Sequence, residues 1–392
     1  MTMATVLTVL LNYKTAAMTL RAAEAALADM EGVAGELVIV DNDSRDGSHE
    51  ALLAAVKQRG WASRVRVIAS GRNGGFGAGN NVGIRAGLSD GRAPDYYYIL
   101  NSDAFPDRGC IPALLEFLQT HPGAGFAGSH VRGEDDVPHC SAFRFPSILG
   151  EFEGAVRTGL FSKLFRSWIV ALPIPDTATR VDWVAGASLM VRRTALDDIG
   201  LFDETFFLYF EETDLAHRAA RAGWQTWYVP DSRVVHIGSV STGMKTWARM
   251  PRYWFESRRH YFTKTHGQFY YALATWSLIK GAALWRLRSA VQGRDVLDPK
   301  GFLRDLIAFS LRPDATPHRT PPDPRLARNR NDPLLIHPDR QRIPVDRLWR
   351  HTARARPHRH NRGFARSGHH RLGRGKRPAP CEPGTETRVR AV

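Results

Sequence analysis

Through the first 130 residues short apolar runs alternate with amphipathic ones. "TVLTVLLN" (5–12), "ELVIVD" (36–41), "RVRVIA" (64–69) and "YYYILN" (96–101) are β-rich, and each leads into a helical stretch: 15–30, near 48–59, near 78–88 and near 109–120. Strands that alternate with helices predict an α/β domain, a mainly parallel sheet sandwiched by helices. In such sheets ligands sit at the carboxyl ends of the strands. That rule singles out Asn12-Tyr13, Asp41-Asn42 and Asn101-Ser102-Asp103, each of which closes a predicted strand.

Beyond residue 123 the pattern is less regular. "HCSAFRFPS" (139–147) precedes an amphipathic stretch over 148–170, and "VDWVAGASLMVRR" (181–193) is a second strand-rich element. After 224–243 the chain turns helical, and the segment 247–290 gathers Trp247, Trp254, Tyr261, Tyr270, Tyr271, Trp276 and Trp285 among Arg and Lys. Two readings are open there: helices at a membrane surface, giving a peripheral membrane contact, or an ordinary appendage packed on the sheet domain. The organisation expected is a catalytic domain over 1–243, divided into halves 1–130 and 131–243, a helical appendage over 244–311, and a tail over 312–392.

Charge changes the picture of that tail. The formal net charge is +15, but from residue 312 onward 19 Arg and one Lys stand against seven acids, so +13 of it lies in the tail. The body is nearly neutral, without the electrostatic footprint of a nucleic-acid binder. The tail, rich in Arg, Pro, His and Gly, lacks the apolar content to fold, and disorder is expected. Its Arg-over-Lys skew fits a genuine basic tail and out-of-frame translation of GC-rich DNA equally well. Cys110, Cys140 and Cys381 are too scattered for a zinc motif and suit a reducing cytoplasm. The amino-terminal apolar run has no basic region before it and reads as a strand, and no stretch of about 20 uncharged apolar residues predicts a spanning helix.

Several short motifs carry candidate chemistry. In "LVIVDNDSRDGS" (37–48) Asp41 can accept from a base N–H, while Ser44 and Ser48 can cap the next helix. "GRNGGFGAGNNVGI" (71–84) sets six glycines and three asparagines between a strand and a helix, where backbone can approach a ligand and free N–H groups favour a phosphate. It matches no GxxxxGK[ST] motif, and it follows the third strand, not the first as a dinucleotide fingerprint would. The "NSD" of 101–103 suits a Mg²⁺ or Mn²⁺ ligand, or an Asx turn. "FLYFEETDLAHR" (207–218) places Glu211, Glu212 and Asp214 after a cluster of aromatics. Apolar surroundings raise carboxylate pKa values, as a general base requires, yet acids also belong in a first helical turn and Asp214 can pair with Arg218.

Taken in order, "VLLNY", "VDNDSRDGS", "RNGGFGAGNNVGI", "LNSDA", "WVAGASLMVRRTALDDIGLFDETFFLYFEETDLAHRAARAGW" and "VPDSRVVHIGSVSTG" resemble glycosyltransferase family 2 of the GT-A fold, especially its bacterial rhamnosyltransferase-like members. The resemblance covers roughly residues 4–290. It implies that Asp41 reads the nucleotide base beside Asn12 and Tyr13, and that Asn42 and the loop with Asn73, Gly75, Phe76, Asn80 and Asn81 border the donor. Asp103 would be the last acid of the metal motif, whose first position here is Asn101 rather than Asp, and His236 a second ligand of a divalent Mg or Mn ion. Glu212, the second acid of an "ED"-type pair, would be the general base. Glu211, Trp183, Gly186 and Ala187 would shape the acceptor site. The implied activity is inverting transfer from a nucleoside-diphosphate sugar, with dTDP-rhamnose the first expectation, to a glycan or polyprenyl-diphosphate-linked acceptor, in the cytoplasm at the inner face of the plasma membrane. The rivals are a nucleotidyltransferase that makes nucleotide sugars, although "LLNYKTAAMTL" lacks the glycines and arginine it would need, and an anionic-surface or nucleic-acid binder acting through the tail.

Overall fold

The alternation of the first 130 residues is realised element by element. A computed structural model describes residues 3–238, 248–296 and 298–312. In chain order these form β1 (Thr5–Asn12), α1 (Ala16–Asp29), β2 (Ala34–Asp41), α2 (Ser48–Gln58), β3 (Val65–Ala69), α3 (Gly75–Ala86), β4 (Tyr96–Asn101), β5 (Ala104–Pro106), α4 (Cys110–Thr120) and β6 (Ala124–Arg132). The less regular middle holds β7 (Pro138–His139), β8 (Ala142–Phe143), α5 (Ile148–Val156), α6 (Gly159–Leu164), β9 (Thr179–Val181), β10 (Trp183–Val184), β11 (Ser188–Arg192) and α7 (Arg193–Ile199). Then come α8 (Glu211–Arg221) and β12 (Gln225–His236), followed by α9 (Arg252–His266), α10 (Gln268–Val291) and α11 (Phe302–Ser310). The described residues fall within one compact unit. The expected tail, apart from Arg312, lies outside them, as do Trp247 and residues 239–246.

The main sheet runs β3-β2-β1-β4-β11-β6-β12-β5. β1 is parallel to β2 and β4, β2 to β3, and β12 to β6, while β11 is reversed between β4 and β6. In-register pairing brings Asn12 beside Asp41 and Leu11 beside Asn101, so the polar residues singled out by the strand ends share one edge of the sheet. Alternate residues of β1 face opposite sides. Val6 and Leu10 join the core under α1, α2 and α4, whereas Leu7 and Val9 join the one under α3, α7 and α8. Each such buried aliphatic side chain contributes about 1.5–3 kcal/mol.

A third core fastens the carboxyl-terminal helices to the sheet domain. Trp254, Phe255, Tyr261 and Phe262 of α9 pack with Phe206 and Phe210, and with Tyr271 and Leu278 of α10. Within it the Arg258 guanidinium donates to Glu151 Oε2 at 2.7 and 3.1 Å and to Thr275 Oγ1 at 2.9 Å, which ties α9 to α5 and α10. Thus Trp254, Tyr261, Tyr271 and Arg258, for which the sequence of 247–290 leaves both a surface and a packed reading open, are interior.

Candidate active site

Gly75 explains how the glycine-rich loop reaches the acidic turn. Its φ is +88°, and a Cβ there would lie 1.8 Å from the Phe207 carbonyl oxygen, so only glycine permits the contact. Phe76 N donates to that same oxygen at 3.0 Å and Gly75 N to Asn73 Oδ1 at 3.1 Å. The first two amides of α3 are therefore spent on protein acceptors, which takes Gly75 and Phe76 out of the set expected to be open to a phosphate. The helix also begins at Gly75, ahead of the expected start near 78. Its later glycines serve packing: at Gly83 a Cβ would lie 2.4 Å from Val9 Cγ1.

The acidic turn is built on strained backbone. Tyr209 and Phe210 take φ of +70° and +68°, a left-handed conformation that bulky residues rarely adopt. The chain reverses there and delivers Glu211 and Glu212 as the first two residues of α8. Glu211 and Asp214 are buried, and a Cβ on Gly186 would lie 3.6 Å from Glu212 Oε1. Asp214 is an anchor: its carboxylate takes Arg218 Nε at 2.9 Å and Lys264 Nζ at 2.8 Å. Lys264 also bridges to Asp203 Oδ2 at 2.9 Å, beside His260 Nε2 at 2.8 Å. Burial alone would raise the Asp203 pKa, but bonds from His260, Lys264 and Thr205 hold it far below the usual carboxylate range.

One cavity collects most of the expected residues. Tyr13, Asn42, Asn73, Gly75 and Phe76 line it on the side of β1, β2 and the glycine loop, and Asn101, Ser102 and Asp103 at the end of β4. Gly186, Ala187, Glu211 and Glu212 line it from β11's approach and α8. His236, at the end of β12, is not in the lining but stands behind Asp103, its Nε2 3.2 Å from Asp103 Oδ1 and 3.4 Å from Asn101 Nδ2.

Other expected residues lie behind the walls. Asn12 Nδ2 donates to Asp41 Oδ1 at 2.7 Å, and Ser44 Oγ to the same oxygen at 2.6 Å, forming a buried network at the ends of β1 and β2. Asn80 Nδ2 bonds Phe76 O and Asn81 Nδ2 bonds Phe202 O, each bracing α3 instead of facing the cavity. Trp183 is stacked on Phe143 at 4.1 Å, with Nε1 donating to Arg144 O. Leu11, Phe207, Leu208 and Tyr253 are lining residues that sequence reasoning missed. Phe207 and Leu208 belong to the aromatic cluster read only as a desolvating one, whereas Tyr253 carries no local signal because α9 brings it in from a distant part of the chain. Burial pushes the Tyr253 phenol up to about 12, and its ring lies 5.4 Å from that of Phe207.

The family description "Glycosyl transferase family 2" matches residues 6–166, and "Glycosyl transferase family group 2" matches 98–296, half of the chain. The chain belongs to glycosyltransferase family 2. As a family 2 glycosyltransferase it is 29% identical over 257 residues to the N-acetylglucosaminyl-diphospho-decaprenol L-rhamnosyltransferase of Mycobacterium tuberculosis, covering 63% of this chain and 81% of that protein. It is 28% identical over 166 residues to rhamnosyltransferase WbbL of Escherichia coli, covering 41% of this chain and 60% of that one. Among solved structures, the mannosyltransferase PcManGT of Pyrobaculum calidifontis, in complex with GDP-Man and Mn²⁺, superposes with a TM-score of 0.47 at 15% identity, covering 77% of this chain and 78% of that one. Family 2 membership sets aside the nucleotidyltransferase and binding-protein alternatives.

Proposed function

We propose that this family 2 enzyme transfers a sugar with inversion from a nucleoside-diphosphate donor to a hydroxyl of a lipid-diphosphate-linked glycan, at the cytoplasmic leaflet of a membrane. L-rhamnose on dTDP is the donor we favour, because two of its relatives are named as rhamnosyltransferases, one of them acting on a diphospho-decaprenol. The observation that carries the reading is that Glu212 and the strand end Asn101-Ser102-Asp103 open into the same cavity. Glu212 takes the proton of the acceptor hydroxyl as its oxygen attacks the anomeric carbon. The bond from that carbon to the diphosphate breaks on the opposite face, and the diphosphate leaves with the electron pair. Tyr253 and Phe207, which line the cavity together with Gly186 and Ala187, would offer apolar surface to the acceptor.

Asp103 and His236 fit a divalent cation, Mg²⁺ or Mn²⁺. They place a carboxylate and an imidazole 3.2 Å apart, and among the described residues no group of three or more His, Cys, Asp or Glu gathers, so donor diphosphate oxygens would complete the shell. When bound, such an ion neutralises charge developing on the departing diphosphate. The experiment is a donor screen that follows release of free nucleoside diphosphate from UDP-, dTDP- and GDP-sugars with a polyprenyl-diphosphate-linked acceptor. Acceptor-dependent release of dTDP from dTDP-rhamnose is expected, and acceptor-dependent release only from another donor overturns the choice of sugar.

A further inference from the structure

α10 is buried along one side only. Tyr271, Ala274, Leu278 and Ala282 face inward against α5, α9 and α11, whereas Phe269, Trp276, Leu284, Leu287 and Val291 are 78%, 56%, 45%, 64% and 80% exposed. Their spacing of seven, eight, three and four residues returns to one face at 3.6 residues per turn, so they form a continuous apolar stripe along the helix. Monomeric soluble proteins seldom leave a stripe of this kind uncovered without a partner.

Its charge selects the partner. α10 contains no acidic residue. Lys280 lies within the stripe, its Nζ 3.4 Å from the Trp276 ring centroid, and Arg288 flanks it, while Arg286 on the other flank is paired with Asp298 at 2.9 Å. Arg288 donates to the carbonyl of Arg157, two residues before α6. α6 and the turn after it repeat the composition: Leu160, Leu164 and Trp168 are exposed at 72%, 71% and 46%, Lys163 and Arg166 are exposed among them, and again there is no acid. A second copy of the same face would bring Lys280 and Arg288 against their like, and the tail from residue 313 is itself strongly basic. No helix among the described residues is long and apolar enough to cross a membrane. Apolar and aromatic side chains mixed with bases and free of acids are what an anionic headgroup layer takes up from a helix lying in its plane.

We propose that the outward face of α10, flanked by α6, seats the enzyme on an anionic lipid surface, with Phe269, Trp276, Leu284 and Leu287 at the acyl boundary and Lys280 at the phosphates. The inference deepens the proposed function and rests on its lipid-linked acceptor for its purpose. Its test needs no acceptor.

The full chain and a Trp276→Ser, Leu284→Ser, Leu287→Ser variant are sedimented with vesicles of phosphatidylglycerol and phosphatidylcholine, at low salt and at about 0.5 M salt, where charge contacts are screened within a few Å. Wild type is expected to bind phosphatidylglycerol vesicles and keep a bound fraction at high salt, because the apolar contact survives screening. The variant should lose about tenfold or more in partitioning there, while turnover on a short-chain, water-soluble acceptor is unchanged. Brominated acyl chains should quench a tryptophan signal that Trp276→Phe removes. Equal partitioning of the two proteins, or binding of wild type that washes off entirely with salt, overturns the inference, as does a change in oligomeric state of the variant without vesicle binding by wild type. Vesicle binding that follows the expected pattern while wild type shows no turnover on any lipid-linked acceptor supports the surface and removes the proposed acceptor instead.

Discussion

The amide of Phe76 donates to the carbonyl of Phe207 at 3.0 Å, so the glycine loop and the turn that presents Glu212, which line the same cavity, share one backbone contact. Gly75 makes it possible, since any Cβ would collide with that carbonyl. Gly75→Ala is expected to unseat the acidic turn and lower kcat about tenfold or more, with a stability loss above the roughly 1 kcal/mol that a left-handed alanine costs by itself. Gly91→Ala is the control: its φ is +82° but nothing lies within 4 Å of the added carbon, so it should show the conformational cost alone. Equal melting temperatures and equal kcat for the two variants would mean that the contact does not position the site.

Glu212→Gln removes the proposed proton acceptor with almost no change of volume. Turnover should fall by about 10²-fold or more while donor affinity stays within a few fold. Asp214→Asn leaves Lys264 and Arg218 facing an uncharged amide, so it should lower stability by about 1–3 kcal/mol. Near wild-type turnover of Glu212→Gln, measured as nucleoside diphosphate release, rules Glu212 out as the base.

What could be read in advance follows from the range of the forces involved. β1 over Thr5–Asn12 and β4 over Tyr96–Asn101 match the expected 5–12 and 96–101, because a strand between two helical layers must be apolar throughout and the polar residue that ends it is conspicuous. α3 begins ahead of the expected start near 78 because its glycines read as a loop, whereas they serve close packing on Val9 and Phe207, contacts that no local pattern encodes. The strand-rich 181–193 resolves into three short strands and the start of α7, since β11 must run backwards between β4 and β6. In 247–290 composition could not separate Trp254 of α9, which is interior, from Trp276 of α10, which is not; the packing of each helix does so.

Asp103→Ala should weaken donor binding and make the residual activity insensitive to added Mg²⁺ or Mn²⁺, because it removes the carboxylate beside His236. Chelation of the wild type should reproduce the loss, and re-addition of the ion should restore it. Full activity of the wild type in excess EDTA removes the metal from the proposed chemistry. His236→Gln then serves as a test of whether the imidazole acts only by fixing the Asp103 carboxylate.

His217 gives the fold a pH dependence. On α8, its Nδ1 lies 3.1 Å from the Tyr261 hydroxyl and its ring 4.4 Å from that of Phe145. Burial first, and then the positive charges of His266 and Arg221, depress its pKa to about 4, against the opposing pull of Asp214. An unfolded histidine titrates near about 6.5, so between these values the unfolded chain binds more protons than the folded one. Stability from this group is therefore complete above about pH 6.5 and falls as the pH drops toward about 4, with a slope of at most about 1.4 kcal/mol per pH unit, reduced because the side chain is only half-buried. His217→Gln retains a polar partner for Tyr261 but cannot ionise. Urea denaturation midpoints at pH 7, 6 and 5 should fall steadily for the wild type and less steeply for the variant, with His266, also depressed by burial and Arg221, accounting for the slope that remains. Identical slopes would show that another group carries the acid sensitivity.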